Sequence, residues 1–281
     1  MRTQSLDTTP AFERVQIARV RAFAPAKKFT SVRSWTHSLT YANFYARSSE
    51  TTPLSAQERI MQFLLREYGQ AIALCFQQYA ERHTAWTLPD PDLQSTLLAS
   101  VELFTRLGIR YALCGSIAGS VYGLPRSAQD VDFSADIRAE HLPSFLEHVS
   151  TAFLFDEQQV LQAIAHTAPF SLLHLSSLIK VDIIPPSCSF EEYALRQAQP
   201  IQLIEGEAPL QMLRPEDILL LGFVWYRRTG EKADDQWNDL LGLLKVQAPL
   251  LNLAYLVEQA KLLGCTDLLE QELIDAGMKE V

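Results

Sequence analysis

Three aspartates carry the chemistry this sequence offers. Asp130 and Asp132 flank Val131 in Asp-Val-Asp-Phe133, and Asp182 stands alone in Lys180-Val-Asp-Ile-Ile184. Residues two apart on a strand point to one face, about 6.6 Å apart along the chain. Two carboxylates held that way repel each other unless a proton or cation lies between them. Val131 and Phe133 are suited to burying the opposite face, so both acids aim at one place. A hard divalent ion such as Mg²⁺ fits there, because it takes oxygen ligands and keeps waters or substrate phosphates. Asp182, isolated in an apolar run, is costly to bury unless paired or metal-bound. Upstream, Gly115-Ser116 at a helix start offers backbone N–H groups, a hydroxyl and a positive dipole end, which suit a phosphate. Each piece alone has a plainer reading: a solvated strand end, an ordinary helix start, an acid paired near Lys180 or with Arg126. Their order and strand settings favour the joint one.

These residues need elements to hold them. Ser55-Ala-Gln-Glu58 is a capping box, and Ile60, Phe63, Leu64, Ala71, Leu74, Cys75 and Tyr79 continue a helical stripe up to Trp86–Pro91. A second helix is expected from Pro91 to about Leu107, stopped by Gly108. Strands and helices then alternate. Arg110–Cys114 reads as a strand, Gly115–Tyr122 as a helix, the segment around Asp132 as a strand and Leu142–Val149 as a helix. Phe170–Leu175 and Leu178–Ile184 read as a hairpin closed by Pro185-Pro186. From Arg214 everything is helical: Pro215, Glu216 and Asp217 open one helix, with others over about 233–246, 252–263 and 266–276. The expected fold is α/β (α+β), a mixed sheet flanked by helices. The expected division is a loosely ordered basic arm (1–50), a helical lead-in (51–91), a core (92–213) and a C-terminal helical domain (214–281).

Composition narrows the class. The 281 residues are 48% hydrophobic, enough for a substantial core. With 24 basic and 33 acidic residues the net charge is −9, which argues against a general nucleic-acid coat. The charge is uneven: residues 1–40 hold seven basic and two acidic residues, a net +5, leaving −14 for the rest. Such an arm attracts RNA, DNA or an acidic partner, or is simply a poorly ordered terminus. The four cysteines (75, 114, 188, 265) lack metal-ligand spacing and read as reduced thiols. No apolar run approaches the ~20 residues of a membrane helix, so a cytoplasmic protein without membrane partners is expected.

At Gly115-Ser116, Gly123-Leu-Pro-Arg126, Asp130-Val-Asp132 and Asp182 the chain resembles the DNA polymerase beta-like nucleotidyltransferase superfamily. Within it the Gly-x-Pro-Arg lead is similar to bacterial minimal nucleotidyltransferases and to AbiEii/AbiGii-type toxin relatives. The resemblance spans about residues 107–244 and includes Arg214-Pro-Glu-Asp217 and Gln236-Trp-Asn-Asp239. It implies a nucleotidyltransferase-like sheet in which Asp130, Asp132 and Asp182 ligate two Mg²⁺ ions, with Asp182 also placed to take the acceptor's proton. It further implies that Gly115 and Ser116 bind the phosphates of an NTP such as ATP, and that Arg126 contacts phosphate or braces Asp130. The implied reaction moves a nucleoside monophosphate to a hydroxyl on RNA, protein or a small molecule, in a toxin-like setting with an antitoxin-like partner. Two departures stand out. Ala128 replaces a threonine two residues before the first aspartate, and Gly222 replaces a lysine five residues after Asp217. Lys180, Arg227, Arg228 or Lys232 are the candidates to supply the missing cation.

The remaining residues add less. The six histidines show no ligand spacing, and Ser116 lacks the elbow and histidine of an acyl-transfer nucleophile. Trp225 and Tyr226 offer a stacking surface or, more ordinarily, helix packing. Glu231, Asp234 and Asp235 read as a solvated helix start, and Asp239 as a support for the site. The rival to an enzyme is a catalytically degenerate nucleotide- or RNA-binding module on the same fold. A third reading is an interaction protein working through its basic arm.

Overall fold

A computed structural model of the chain describes residues 2–4, 8–45, 54–82, 89–230 and 234–278. In chain order the elements are α1 (Pro10–Arg21), α2 (Pro25–Tyr45), α3 (Ala56–Glu67), α4 (Gly69–Ala80), α5 (Leu93–Arg106), β1 (Tyr111–Cys114), α6 (Gly115–Tyr122) and β2 (Asp130–Ala135). Next come α7 (Leu142–Val149), β3 (Phe153–Leu154), α8 (Glu157–Ala165), β4 (Phe170–His174), β5 (Lys180–Ile184), α9 (Ser189–Arg196), β6 (Gln199–Ile201) and β7 (Leu210–Met212). Four helices finish the chain: α10 (Pro215–Arg228), α11 (Asp234–Gln247), α12 (Leu253–Leu262) and α13 (Thr266–Ala276). The fold is mixed α/β. It forms two compact units, Met1–Val32 with Cys114–Arg126 and Arg196–Val281, and Arg33–Leu113 with Ser127–Leu195. Each unit is assembled from segments distant in sequence.

In the second unit the strands lie in the order β3-β4-β5-β2-β1. β2 and β5 are parallel, while β4 runs antiparallel to β5 and β3 antiparallel to β4. The strict alternation of β2 and β5 explains their place. Val131, Phe133, Val181 and Ile183 are fully buried, whereas Asp130, Asp132, Lys180 and Asp182 between them are partly exposed. α5 closes the buried face. Its Phe104 ring meets Phe133 edge-on at 5.2 Å and stacks on Tyr111 at 5.3 Å, and burying one such phenylalanine is worth about 1.5–3 kcal/mol. Asp92 caps α5 by accepting from the Gln94 and Ser95 N–H groups, and Gly108, at φ +65°, ends it.

The helix expected from Ser55 is really two. The capping box forms as expected, with Ser55 Oγ accepting from Glu58 N–H and the Glu58 carboxylate accepting from Ser55 N–H at 2.8 Å. Gly69, at φ +81°, then breaks the helix and resets its phase. Ile72, Ala73, Phe76 and Ala80 therefore face the core, packed with Phe63, Leu154, Leu173 and Leu178, while Leu74 of the expected stripe is half exposed. The prolines that close the expected helix follow residues 83–88, which lie outside the described residues.

The basic arm also departs from expectation. Residues 10–45, read as loosely ordered, form α1 and α2. α1 starts on a Thr9 cap with Pro10 in its first turn. It is held inside the first unit by buried polar contacts together with a single buried apolar residue, Ile17, and not by an apolar stripe. Glu13 and Lys245 of α11 form a buried ion pair at 2.9 Å, and Arg21 donates to the Val246 carbonyl at 2.9 Å. A helix fixed this way shows no hydrophobic period. The parts of the arm at 5–7 and 46–50 lie outside the described residues.

The rest of the first unit packs α10, α11 and α13 with α6, beside the β6–β7 hairpin. Two glycines permit this. A side chain at Gly123 would meet the Gly119 carbonyl at 2.8 Å and the Leu243 backbone at 2.9 Å, and one at Gly222 would lie 2.3 Å from Leu240. Among the described residues no helix is long and apolar enough to cross a membrane.

Candidate functional site

The parallel register of β2 and β5 builds the site. Asp132 pairs with Asp182 and Asp130 with Lys180. Paired residues on adjacent strands share a face, and so do residues two apart. The four charged side chains therefore gather on one side of two neighbouring strands. One carboxylate oxygen from each of Asp130, Asp132 and Asp182 lies within 4.8 Å of the others. Sequence spacing anticipates the Asp130/Asp132 pair; the register brings in Asp182.

Two neighbours orient Asp182. Ser171, opposite it on β4, donates to Oδ1 at 2.6 Å, and the Lys180 ammonium donates to Oδ2 at 2.6 Å. The same ammonium is 3.3 Å from Asp130 Oδ2. Burial lowers the Lys180 pKa, but the hydrogen bond and charge of Asp182 and the charge of Asp130 outweigh it, so the net direction is upward. Lys180 thus sits fully charged inside the acidic cluster.

The donor set fits a hard cation. Three carboxylates are the oxygen ligands Mg²⁺ prefers, and with bonds of about 2.1 Å two ligands on one ion lie at most about 4.2 Å apart. Of three ligands on one octahedral ion at most one pair is that far apart and the others lie about 3 Å apart, so the three oxygens, all within 4.8 Å of one another, would draw together on binding an ion.

Sequence reasoning missed Tyr68. Its hydroxyl donates to the Leu178 carbonyl at 3.1 Å and approaches the Gln129 carbonyl at 3.5 Å. Gln129 immediately precedes β2 and Leu178 lies two residues before β5, so one phenol pins the approaches to both acid-bearing strands. Burial pushes its pKa up, a Lys180 backbone hydrogen bond opposes this, and the charges of Asp130, Glu67 and Asp182 push it further up. It remains a neutral donor. Leu178 takes the unusual φ of +53° in a turn buttressed by buried polar groups. Thr96 and Ser177 hydroxyls meet at 2.7 Å, and His174 Nδ1 lies 2.8 Å from Ser177 and 3.1 Å from Thr96. Near the first aspartate, where the resembled family carries a threonine, the Ala128 N–H donates at 2.9 Å to the buried Thr36 hydroxyl of α2.

The other expected residues lie in the first unit. Gly115, exposed and at φ +60°, turns the chain from β1 into α6, and Ser116 follows in the first turn. The side chain of Cys114 makes no cap to that helix. Arg126 forms a bidentate pair with Asp239 of α11, with Nε donating to Oδ1 at 2.6 Å and Nη2 to Oδ2; Asp239 thus supports Arg126. Arg227 pairs with Asp267 at 2.7 Å, and Arg228 lies over the Trp225 ring at 5.5 Å. Tyr226 packs against Trp237 at 5.1 Å. Arg214 holds the fully buried Asp217 at 2.7 Å, and Tyr255 donates to the same carboxylate at 2.7 Å, so this motif closes the start of α10. Gly222 lies where α10 touches Leu240, leaving no room for a longer side chain without displacing it. Glu231 and Lys232 lie outside the described residues.

No protein-family model and no curated protein matches the chain. Among solved structures, an antigenic nucleotidyltransferase-like protein from Paracoccidioides brasiliensis is similar over 61% of this chain and 90% of that one, at 18% identity and a TM-score of 0.38.

Proposed function

We propose that the chain is an Mg²⁺-dependent nucleotidyltransferase that moves a nucleoside monophosphate from an NTP to a hydroxyl on RNA, protein or a small molecule. The observation that carries this is the convergence of Asp130, Asp132 and Asp182 on one face of β2 and β5. The order of motifs from Gly115 to Asp182 supports it. Bound Mg²⁺ would neutralise the phosphates and the acceptor oxygen in an in-line displacement. Asp130 and Asp132 would hold it from one strand and Asp182 from the next. Asp182, fixed by Ser171, would also accept the acceptor's proton. The N–H groups opening α6 at Gly115 and Ser116 would receive phosphate oxygens. A toxin-like role, with an antitoxin-like partner in the cytoplasm, is the setting the motif resemblance favours.

A second reading, a degenerate nucleotide- or RNA-binding module on this fold, is favoured by Gly222, where a phosphate-binding lysine is absent and a longer side chain would have to displace the Leu240 side chain. Label transfer separates the two. The full chain is incubated with Mg²⁺, each α-labelled NTP in turn, and bacterial RNA and protein extract, beside the Asp130→Asn/Asp132→Asn variant. Label on a macromolecule that is lost in the variant is the expected result. Nucleotide binding without transfer by any NTP would leave the binding module, and neither binding nor transfer would refute both.

A further inference from the structure

We infer that Lys180 is a resident counter-cation of the carboxylate cluster, which a divalent ion must displace before it can engage all three aspartates; this rests on the metal reading above. Lys180 reaches the cluster by two independent geometric routes. It pairs with Asp130 across the parallel β2–β5 register, and it lies two residues before Asp182 on β5. Its Nζ lies 2.6 Å from Asp182 Oδ2 and 3.3 Å from Asp130 Oδ2, so it occupies the space between oxygens contributed by two different strands.

A metal drawing on Asp130 and Asp182 approaches the same oxygens at about 2.1 Å. Each Asp182 oxygen already accepts one hydrogen bond, from Ser171 at 2.6 Å and from Lys180 at 2.6 Å. The ion would arrive within a few ångströms of the ammonium, in a site where solvent screens poorly: Lys180 and Asp182 side chains are each 22% exposed. An ammonium and a metal ion that compete for the same two oxygens repel each other there. The lysine can leave, because its flexible stem carries a compact charge and its remaining exposure gives it a way out. Its next anionic partner is the phosphate that accompanies the metal. Lys180 thus keeps three carboxylates compatible with a folded strand pair while substrate is absent, and weakens capture of metal alone.

Removal of the lysine decides the matter by sign. A residue that only braced the carboxylates would, when removed, loosen metal binding; a competitor would tighten it. Mn²⁺ serves as the probe, its free concentration read by electron paramagnetic resonance during titration of the full chain. A charge within about 4–6 Å shifts a carboxylate's affinity for a proton by about one to three pH units, and a metal competes for the same oxygens. Lys180→Met is therefore expected to bind Mn²⁺ at least about tenfold more tightly than the wild type, with Lys180→Arg staying close to the wild type. The rise in Tm on adding Mn²⁺ should also be larger for Lys180→Met, because tighter binding to the folded state adds stability. Equal or weaker binding by Lys180→Met, while the wild type binds, overturns this inference alone. No Mn²⁺ binding by any of the three chains overturns the metal reading and this inference with it. Should Lys180→Met fail to fold without metal, Lys180→Gln keeps a donor for Asp182 without the charge and answers the same question.

Discussion

Acid should destabilise this protein through His174, the residue that ends β4 and anchors the turn leading to Lys180. The imidazole is 5% exposed, and its Nδ1 meets the hydroxyls of Ser177 and Thr96. Burial holds its pKa down to about 4, with the charge of Asp92 offsetting only part of the effect. In the unfolded chain the ring titrates near about 6.5. The folded value is the lower one, so between those limits the unfolded state binds more protons and stability falls as the pH falls. A gap of about 2.5 pH units at about 1.4 kcal/mol each comes to about 3–4 kcal/mol, present above about pH 6.5, of which about 3 kcal/mol is lost by about pH 4. The assay is urea unfolding of the wild type and of His174→Gln at pH values spanning that window. Carboxylates titrate alike in both chains and cancel in the difference. Glutamine loses the ring's packing on Phe153, 5.3 Å away, so the variant should be weaker at neutral pH. The wild type's advantage should then shrink by about 3 kcal/mol on going to about pH 4. An advantage that stays constant across the window would refute a neutral, buried His174.

Two further perturbations test the first unit. Gly123→Ala places a methyl against the Gly119 carbonyl at 2.8 Å and the Leu243 backbone at 2.9 and 3.0 Å. No side-chain movement relieves that contact, so a loss of about 1–3 kcal/mol, the usual scale of overpacking, is expected in denaturant unfolding; an unchanged midpoint would show that α6 and α11 do not approach through their backbones. Glu272 is fully buried, with both carboxylate oxygens lacking a hydrogen-bond partner among the described residues. Burial, aided by the charge of Asp275, pushes its pKa well up. A raised folded pKa makes stability fall as the pH rises through it, so Glu272→Gln should raise Tm at pH 8 and do little at pH 5. A gain of about 1–3 kcal/mol at the higher pH is the expected scale, and a larger gain at the lower pH would contradict the sign.

The parts of this protein legible in its sequence are those fixed by local period and local caps. The alternation through Asp130–Phe133 and Lys180–Ile184 marks both strands and the face their acids share. The spans of α6, α7 and α13 follow their sequence signals residue for residue. What pairs with what is not local. That Asp132 lies opposite Asp182, and not one residue aside, is set by the chain between β2 and β5, which includes the short β3 and α8 that carry little signal of their own. Gly69 shifts the phase of a stripe that otherwise reads as continuous. α1 shows no stripe because it buries only one apolar residue, Ile17, beside the Glu13–Lys245 ion pair, whose halves lie 232 residues apart. Tyr68 is invisible for the same reason: its phenol acts on backbone carbonyls some 60 and 110 residues away.

The same distinction bears on where a polyphosphate would find positive charge. The sequence offers Arg126, Lys180, Arg227, Arg228 and Lys232 as candidates, and composition cannot tell a ligand-binding cation from a structural one. In the fold, Arg126 grips Asp239, Arg214 grips the buried Asp217, and Arg227 grips Asp267. Releasing Arg214 would strand a buried carboxylate, a cost of about 3–5 kcal/mol when one partner of such a pair is removed. Arg227–Asp267 is an exposed surface pair, but its partner lies on α13, so it serves the C-terminal helices. Lys180 differs from all of these, because both acids it contacts, Asp130 and Asp182, are the ones a metal would claim. Of these cations it is the one whose partners are satisfied when substrate arrives. On the proposed function, the charge that meets phosphate is therefore the charge that the incoming metal sets loose.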